Sequence, residues 1–137
     1  MRSGNGLADL QKRIRAMGVE ARREIGVALD QSAAEVVAVA RQLAPSEDGA
    51  LRESVRQEPG ANELQRVIEA GGSTTTRPVR EGQSPTYDYA NAQEFGTAEQ
   101  EAQPFFYPAW RLARRRAKNR ISRAVRKAAK AAGWEAR

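Results

Sequence analysis

Apolar side chains recur at every third or fourth position along the first third of the chain. This spacing places them on one face and predicts a long amphipathic helix over residues 7–44. Gly18 and Gly26 each weaken the helix by about 1 kcal/mol relative to alanine, so either could be the place of a bend or break. Pro45 ends the helix, because the residue before a proline is driven out of the helical conformation. The predicted apolar face is formed by Leu7, Leu10, Ile14, Met17, Ala21, Ile25, Ala28, Ser32, Val36, Val39 and Leu43.

After Pro45 the pattern changes to short segments between turn-forming residues. Residues 46–49 indicate a turn, and two segments, 51–57 and 64–70, predict strands of a β-hairpin that occupies residues 50–70. Residues 71–86 are rich in Gly, Ser, Thr and Pro and have no periodicity. They predict a flexible loop, or a segment that becomes ordered only against a partner.

Two helices are predicted in the last third of the chain. Residues 88–95 predict a short helix, and Gly96 ends it because glycine adopts the left-handed conformation at little cost. A long helix follows over 106–132, with Pro104 and Pro108 fixing its start. Its apolar face is narrow and rich in alanine, which suits close packing against another helix. The chain, 1–137, is therefore predicted to be a single α+β domain.

Composition excludes several classes of chemistry. The 137 residues contain no cysteine and no histidine, which removes disulfides, thiolate nucleophiles, the commonest metal ligand and the usual general base. No phosphate-binding glycine motif and no recognisable pair of catalytic carboxylates is present. We therefore expect no catalytic, cofactor-binding or metal-binding residues, and hence no enzyme. No leader peptide or membrane-spanning run is evident either, and we expect a soluble protein without a membrane partner.

Charge is distributed unevenly along the chain. Residues 1–44 hold 7 basic and 5 acidic residues, 45–110 hold 5 and 11, and 111–137 hold 11 and 1, so the net charges are +2, −6 and +10. A strongly basic end is thus attached to an acidic middle.

Aromatic residues are concentrated in the last part of the acidic middle, next to the basic end. Each such side chain buries roughly 150 to 250 Å², so the segment supplies either core or interface. Three of the aromatics are consecutive and cannot all face one side, so at least one should point outward. We expect a core role for most of the set and a subunit or partner contact for some of these candidates: Tyr89, Phe95, Phe105, Phe106, Tyr107 and Trp110.

Other single residues invite structural interpretations. Gly49 and Gly96 are predicted to serve backbone geometry. Glu94 could pair with an arginine such as Arg52, or it could cap a backbone group; a catalytic role lacks a second catalytic group.

Three short blocks occur in order after the first helix, which ends in Ala44-Pro45. They are Gly49-x-Leu51-Arg52-x-Ser54, Tyr89-Ala90-x-x-x-Glu94-Phe95-Gly96-Thr97 and Pro104-Phe105-x-x-Pro108-Ala109. This arrangement resembles the tail-component family of long-tailed phages and prophages, which includes head-tail joining, neck and tail-completion proteins and is similar to the minor tail protein Z group of lambda-like phages. The resemblance implies a structural protein of the virion, assembled in the host bacterial cytoplasm.

The resemblance also implies a ring, expected to be a hexamer, that contacts the connector and tail proteins of the particle. The ring could lie in the neck or could be a terminator that caps the tail tube. The alternative from another class is a non-specific double-stranded DNA-binding protein that uses the last helix.

Ten Lys or Arg residues and no acidic residue lie between positions 111 and 130. They could bind DNA phosphates, or a membrane surface, although an alanine-rich face inserts poorly. They could also contact the acidic middle of a neighbouring subunit or another acidic ring; we favour this interpretation, which requires assembly to weaken as salt rises. The charged candidates are Arg111, Arg114, Arg115, Arg116, Lys118, Arg120, Arg123, Arg126, Lys127 and Lys130.

Overall fold

The computed structural model describes residues 6–45, 49–78, 82 and 86–133 and confirms the α+β class. No helix in these ranges is long and apolar enough to cross a membrane. A 3₁₀ turn, Ser73–Thr75, lies in the middle of the chain. The helices and strands are α1 (Gly6–Ala16), α2 (Val19–Leu43), α3 (Ala50–Ser54), β1 (Arg56–Pro59), β2 (Arg66–Glu69), β3 (Thr76–Pro78), β4 (Thr86–Asp88), α4 (Tyr89–Phe95) and α5 (Phe106–Ala131).

The framework of the fold is the antiparallel pair of α2 and α5. Ala109 near the start of α5 packs with Ala40 near the end of α2, and Ala128 near the end of α5 packs with Ile25 near the start of α2. Every fully buried residue of α5 is an alanine, so the two backbones approach closely. The alanine face of α5 buries little area. Larger side chains from other elements close the two ends of the α2–α5 pair.

The predicted N-terminal helix is divided at Gly18, one of the two glycines at which the sequence allowed a break. Gly18 is extended (ψ 163°), whereas Gly26 lies buried inside α2. The break turns α1 so that Ile14 and Met17 pack against Ala128. This small cluster covers one end of the α2–α5 pair.

The strand predicted over 51–57 is wrong in its first half, where the chain forms α3. Leu51, Ser54 and Val55 are all buried, and their spacing of three and four residues is that of a helix. The Ser54 hydroxyl donates to the Leu51 carbonyl at 2.6 Å. Leu51 and Val55 join Ala109 and Phe105 in the main core.

The hairpin itself forms later and is shorter than predicted. Strand β1 pairs with β2 in antiparallel register, with Gln57 opposite Ile68. The Arg56 guanidinium donates to the carbonyl oxygens of Ser54 and Gly71 at 2.8 Å each. The Arg56 side chain therefore links the first strand of the hairpin to the residues that follow its second strand.

The predicted flexible loop over 71–86 is ordered at both of its ends. Strands β3 and β4 form a second antiparallel hairpin, and residues 79–81 and 83–85 lie outside the described part of the chain. The Asp88 carboxylate accepts from the Thr75 hydroxyl at 2.6 Å, from the Gly72 amide at 3.0 Å and from the Ala90 amide at 2.9 Å. One carboxylate thus fixes the 3₁₀ turn and caps α4, which explains why a segment without periodicity has a defined structure.

Candidate interaction surfaces

The start of α5 is held by a buried carboxylate from α4. Glu94 is 7% exposed, and its oxygens accept from the backbone amides of Phe105, Phe106 and Tyr107 at 2.8, 2.9 and 3.0 Å. The first amides of a helix have no partner within the helix, and the positive end of its dipole attracts an anion. Glu94 therefore caps α5 from another element, one of the two roles that the sequence suggested. Arg52, the other suggested partner, instead donates to the Arg41 carbonyl at 3.1 Å.

This cap determines where the three consecutive aromatics point. Phe105 is 1% exposed and lies in the core, so it is not presented to a partner. Phe106 is half-buried against the same core, and Tyr107 is 52% exposed. The expectation that at least one of the three points outward is confirmed.

Tyr107 belongs to an exposed aromatic patch that we define as Phe95, Tyr107 and Trp110. Their exposed fractions are 65%, 52% and 42%. The rings of Phe95 and Tyr107 lie 6.1 Å apart between centroids, and the Phe106 ring meets Tyr107 edge-on at 5.8 Å. A shallow cleft of about 340 Å³ lies beside Phe95 and Tyr107. Trp110 follows one turn along α5, on the same side of the helix as Tyr107.

The remaining predicted site residues of this segment have local roles. Tyr89 is half-buried, and the Arg77 guanidinium lies 5.3 Å from its ring centroid. Gly49 and Gly96 have φ values of +79° and +77°, and a Cβ at Gly96 would come within 2.9 Å of the Ala102 nitrogen. Pro104 is exposed just before α5, and Pro108 lies in its first turn, where a missing amide hydrogen is harmless.

Two of the ten cations on α5 hold it against α2. Glu35 accepts from Arg120 at 2.7 Å and from Arg116 at 3.3 Å, and Arg120 also donates to the Ser32 hydroxyl at 3.2 Å. The other eight are exposed and form no ion pair with described residues. We call them the cationic face: Arg111, Arg114, Arg115, Lys118, Arg123, Arg126, Lys127 and Lys130.

The acidic middle, in contrast, directs most of its charge to the same molecule. Glu58 and Glu69 pair with Arg56, and Glu63 pairs with Arg22. Asp88 and Glu94 bind backbone amides, as described above. Of the eight acidic residues described in this region, only three have no such partner, namely Glu53, Glu99 and Glu101.

Sequence reasoning missed Asp88, Glu35 and the junction of Ser54, Arg56 and Gly71. Asp88 is the first residue of the helix predicted over 88–95, so it could have been recognised as a capping residue. Glu35 lies beside the predicted apolar face of the first helix, but its arginine partners are 81 and 85 residues away in sequence. No local pattern identifies such a contact.

Comparison with known families gives a match over much of the chain. The family described as a bacteriophage HK97-gp10 tail-component matches residues 8–96, which extend from α1 to the residue after α4. Helix α5 and most of the aromatic patch lie beyond the matched range. No curated protein and no solved structure matches the chain.

Proposed function

The chain belongs to the bacteriophage HK97-gp10 tail-component family, and on this basis we propose that it forms a ring that joins head and tail in a phage or phage-like particle. As a structural tail component it belongs to the virion and contacts other phage proteins. Its role in our proposal is mechanical and requires no catalysis. Subunits pack side by side, and DNA passes through the lumen. We expect six copies, because proteins of the kind it resembles sit where a sixfold tail meets the head.

The observation that carries this proposal is the exposed aromatic patch. Aromatic side chains are enriched among the residues that dominate binding energy at protein interfaces. Phe95 and Tyr107 contact each other on the surface, and the buried Glu94 cap fixes the backbone that presents Tyr107. A preorganised anchor of this kind loses little entropy on binding. It supports a stable contact with a neighbouring subunit.

Two positions in the particle fit such a ring. One is the neck beside the connector, where the protein completes the joint between head and tail. The other is the end of the tail tube, where it acts as a terminator. The neighbouring genes test the proposal that this is a phage joint protein. A portal and connector gene upstream and a tail-tube gene downstream would support it.

Sedimentation over a range of protein concentrations tests the role of the patch. We expect the protein to self-associate, and we expect Phe95→Ser combined with Tyr107→Ser to raise the concentration needed for association by at least about tenfold. Serine removes the apolar contact area while leaving the exposed positions polar. Circular dichroism of the variant should remain that of the folded protein.

Leu112→Ser is the matched control. Leu112 is 67% exposed, nearly the same as Phe95, and it lies about 140° around α5 from Tyr107. It should change association by less than about twofold. Equal weakening by the control and the double variant would argue against the patch as the subunit contact.

The rival function, a DNA-binding protein that acts alone, has less support as the main role. It leaves the aromatic patch unexplained, and the family is one of tail components. Strong duplex binding by a protein that never associates with itself or with phage proteins would favour the rival.

A further inference from the structure

The cationic face of α5 carries more charge than the unpaired carboxylates of the described residues can match. Among the described residues, only four carboxylates lack a cation or a backbone partner, namely Glu24, Glu53, Glu99 and Glu101. Glu24 is half-buried on α2, Glu53 lies on α3, and the other two lie in the loop before α5. The eight cations of this face therefore outnumber the unpaired carboxylates of the described residues.

We propose that this face binds the phosphate backbone of duplex DNA without reading its sequence. Cations that neutralise phosphates release counterions, and this gives affinity that does not depend on the bases. The inference does not require ring formation, because the face is complete in one chain. In a joint it would give the protein a direct contact with the DNA that passes through.

The geometry of α5 suits a long, regular polyanion. Residues 111 to 130 span about 28 Å at 1.5 Å per residue, which is the length of about eight base pairs. Arg115 lies about 180° around the helix from the buried alanines, and Arg111 and Arg126 lie within about 40° of it. These side chains therefore point away from α2 and are open to a partner.

The helix is also fixed in place, so its cations keep their spacing. Its start is capped by Glu94, and its middle is held to α2 by Arg120 and Glu35. The alanine contacts with α2 allow little movement of one helix along the other. A preorganised row of cations loses less entropy on binding than a mobile basic tail.

Other polyanions fit this face less well. Single-stranded nucleic acid is bound by stacking on aromatic rings, and α5 carries none after Trp110. A membrane surface requires an apolar face that inserts, whereas the inner face of α5 is alanine and covered by α2. An acidic protein surface is the remaining alternative, and the experiment below separates it from DNA.

Fluorescence anisotropy with a labelled random-sequence duplex of about 30 base pairs tests the proposal. If about five of the eight cations contact phosphates, log K should fall with log salt with a slope of about −4.5. Affinity should then drop about 500-fold between about 50 and about 200 mM salt. Arg115→Gln combined with Arg126→Gln should make the slope shallower by about 1.8.

Lys12→Gln combined with Arg15→Gln is the matched control. These two cations on α1 are also exposed and form no ion pair with described residues, so the control removes the same charge from another surface. It should leave the slope unchanged. Equal effects of the two double variants, or no salt-dependent binding at all, would overturn the proposal.

Competition identifies the class of polyanion. Unlabelled duplex should displace the labelled duplex, whereas polyglutamate at equal charge should compete at least about tenfold less well. Equal competition would assign the face to acidic proteins and would overturn the assignment to DNA. The variant with Phe95→Ser and Tyr107→Ser keeps the cationic face and should bind duplex with the same slope of log K against log salt. Failure of ring formation and failure of DNA binding therefore give different results.

Discussion

In the middle of the chain, from 49 to 105, five of the eight described acidic side chains bind cations or backbone amides of the same molecule. On α5 only two of the ten cations pair with a carboxylate of the described residues. The middle consists of short elements and loops, and its carboxylates hold these segments together. Most backbone hydrogen bonds of α5 lie within the helix, so most of its charged side chains are left exposed on the surface. The net charge of −6 therefore overstates the negative charge that the middle can offer to a partner.

The strongest test of this comparison is the loss of the buried carboxylate of Glu94. Glu94→Ala removes the acceptor of three backbone amides and should lower the free energy of unfolding by about 3 kcal/mol, measured by urea denaturation. Glu94→Gln keeps one acceptor oxygen and should cost about half as much. A loss below about 1 kcal/mol for alanine would show that α5 does not depend on this cap.

Asp88 should have a smaller but similar effect. Asp88→Ala leaves the Thr75 hydroxyl and two amides without their acceptor and should cost about 2 kcal/mol in unfolding free energy. Asp88→Asn retains a single acceptor and is the conservative control. If hydrogen exchange in 72–76 is unchanged in the alanine variant, the carboxylate does not fix this segment.

Glu35 gives the smallest expected effect, at the place where α2 meets α5. Glu35→Gln removes the anion between Arg116 and Arg120 and should cost about 1 kcal/mol, because the Glu35 and Arg120 side chains are only 21% and 24% exposed. The control is the double variant Arg115→Gln with Arg126→Gln. It should change the free energy of unfolding by less than about 0.5 kcal/mol. If the control is as destabilising as Glu35→Gln, the outer cations take part in folding and the contrast fails.

The sequence predicted the long helices because their apolar periodicity extends over many turns. The alanine face of α5 was predicted to pack closely on another helix, and α2 is that helix. The strand predicted over 51–57 was wrong in its first half, because alternating and helical spacing are hard to distinguish over so few residues. The sequence identified three interface candidates that are exposed in the structure, namely Phe95, Tyr107 and Trp110. The sequence alone could not distinguish them from Phe105, which is buried. The Asp88 cap of α4 is local, but the contacts of Asp88 with Thr75, of Glu94 with the start of α5 and of Glu35 with its arginines are tertiary, and no local pattern encodes them.

The two sides of α5 differ in how freely they can change over evolution. Substitution of Ala109, Ala113, Ala117 or Ala128 by a larger residue would force α2 and α5 apart. The outer positions carry a weaker constraint, because their side chains are exposed and form no ion pair with described residues. Selection can therefore adjust the charge of this surface to a new partner without loss of the fold. The family match ends at residue 96, before this adjustable helix begins.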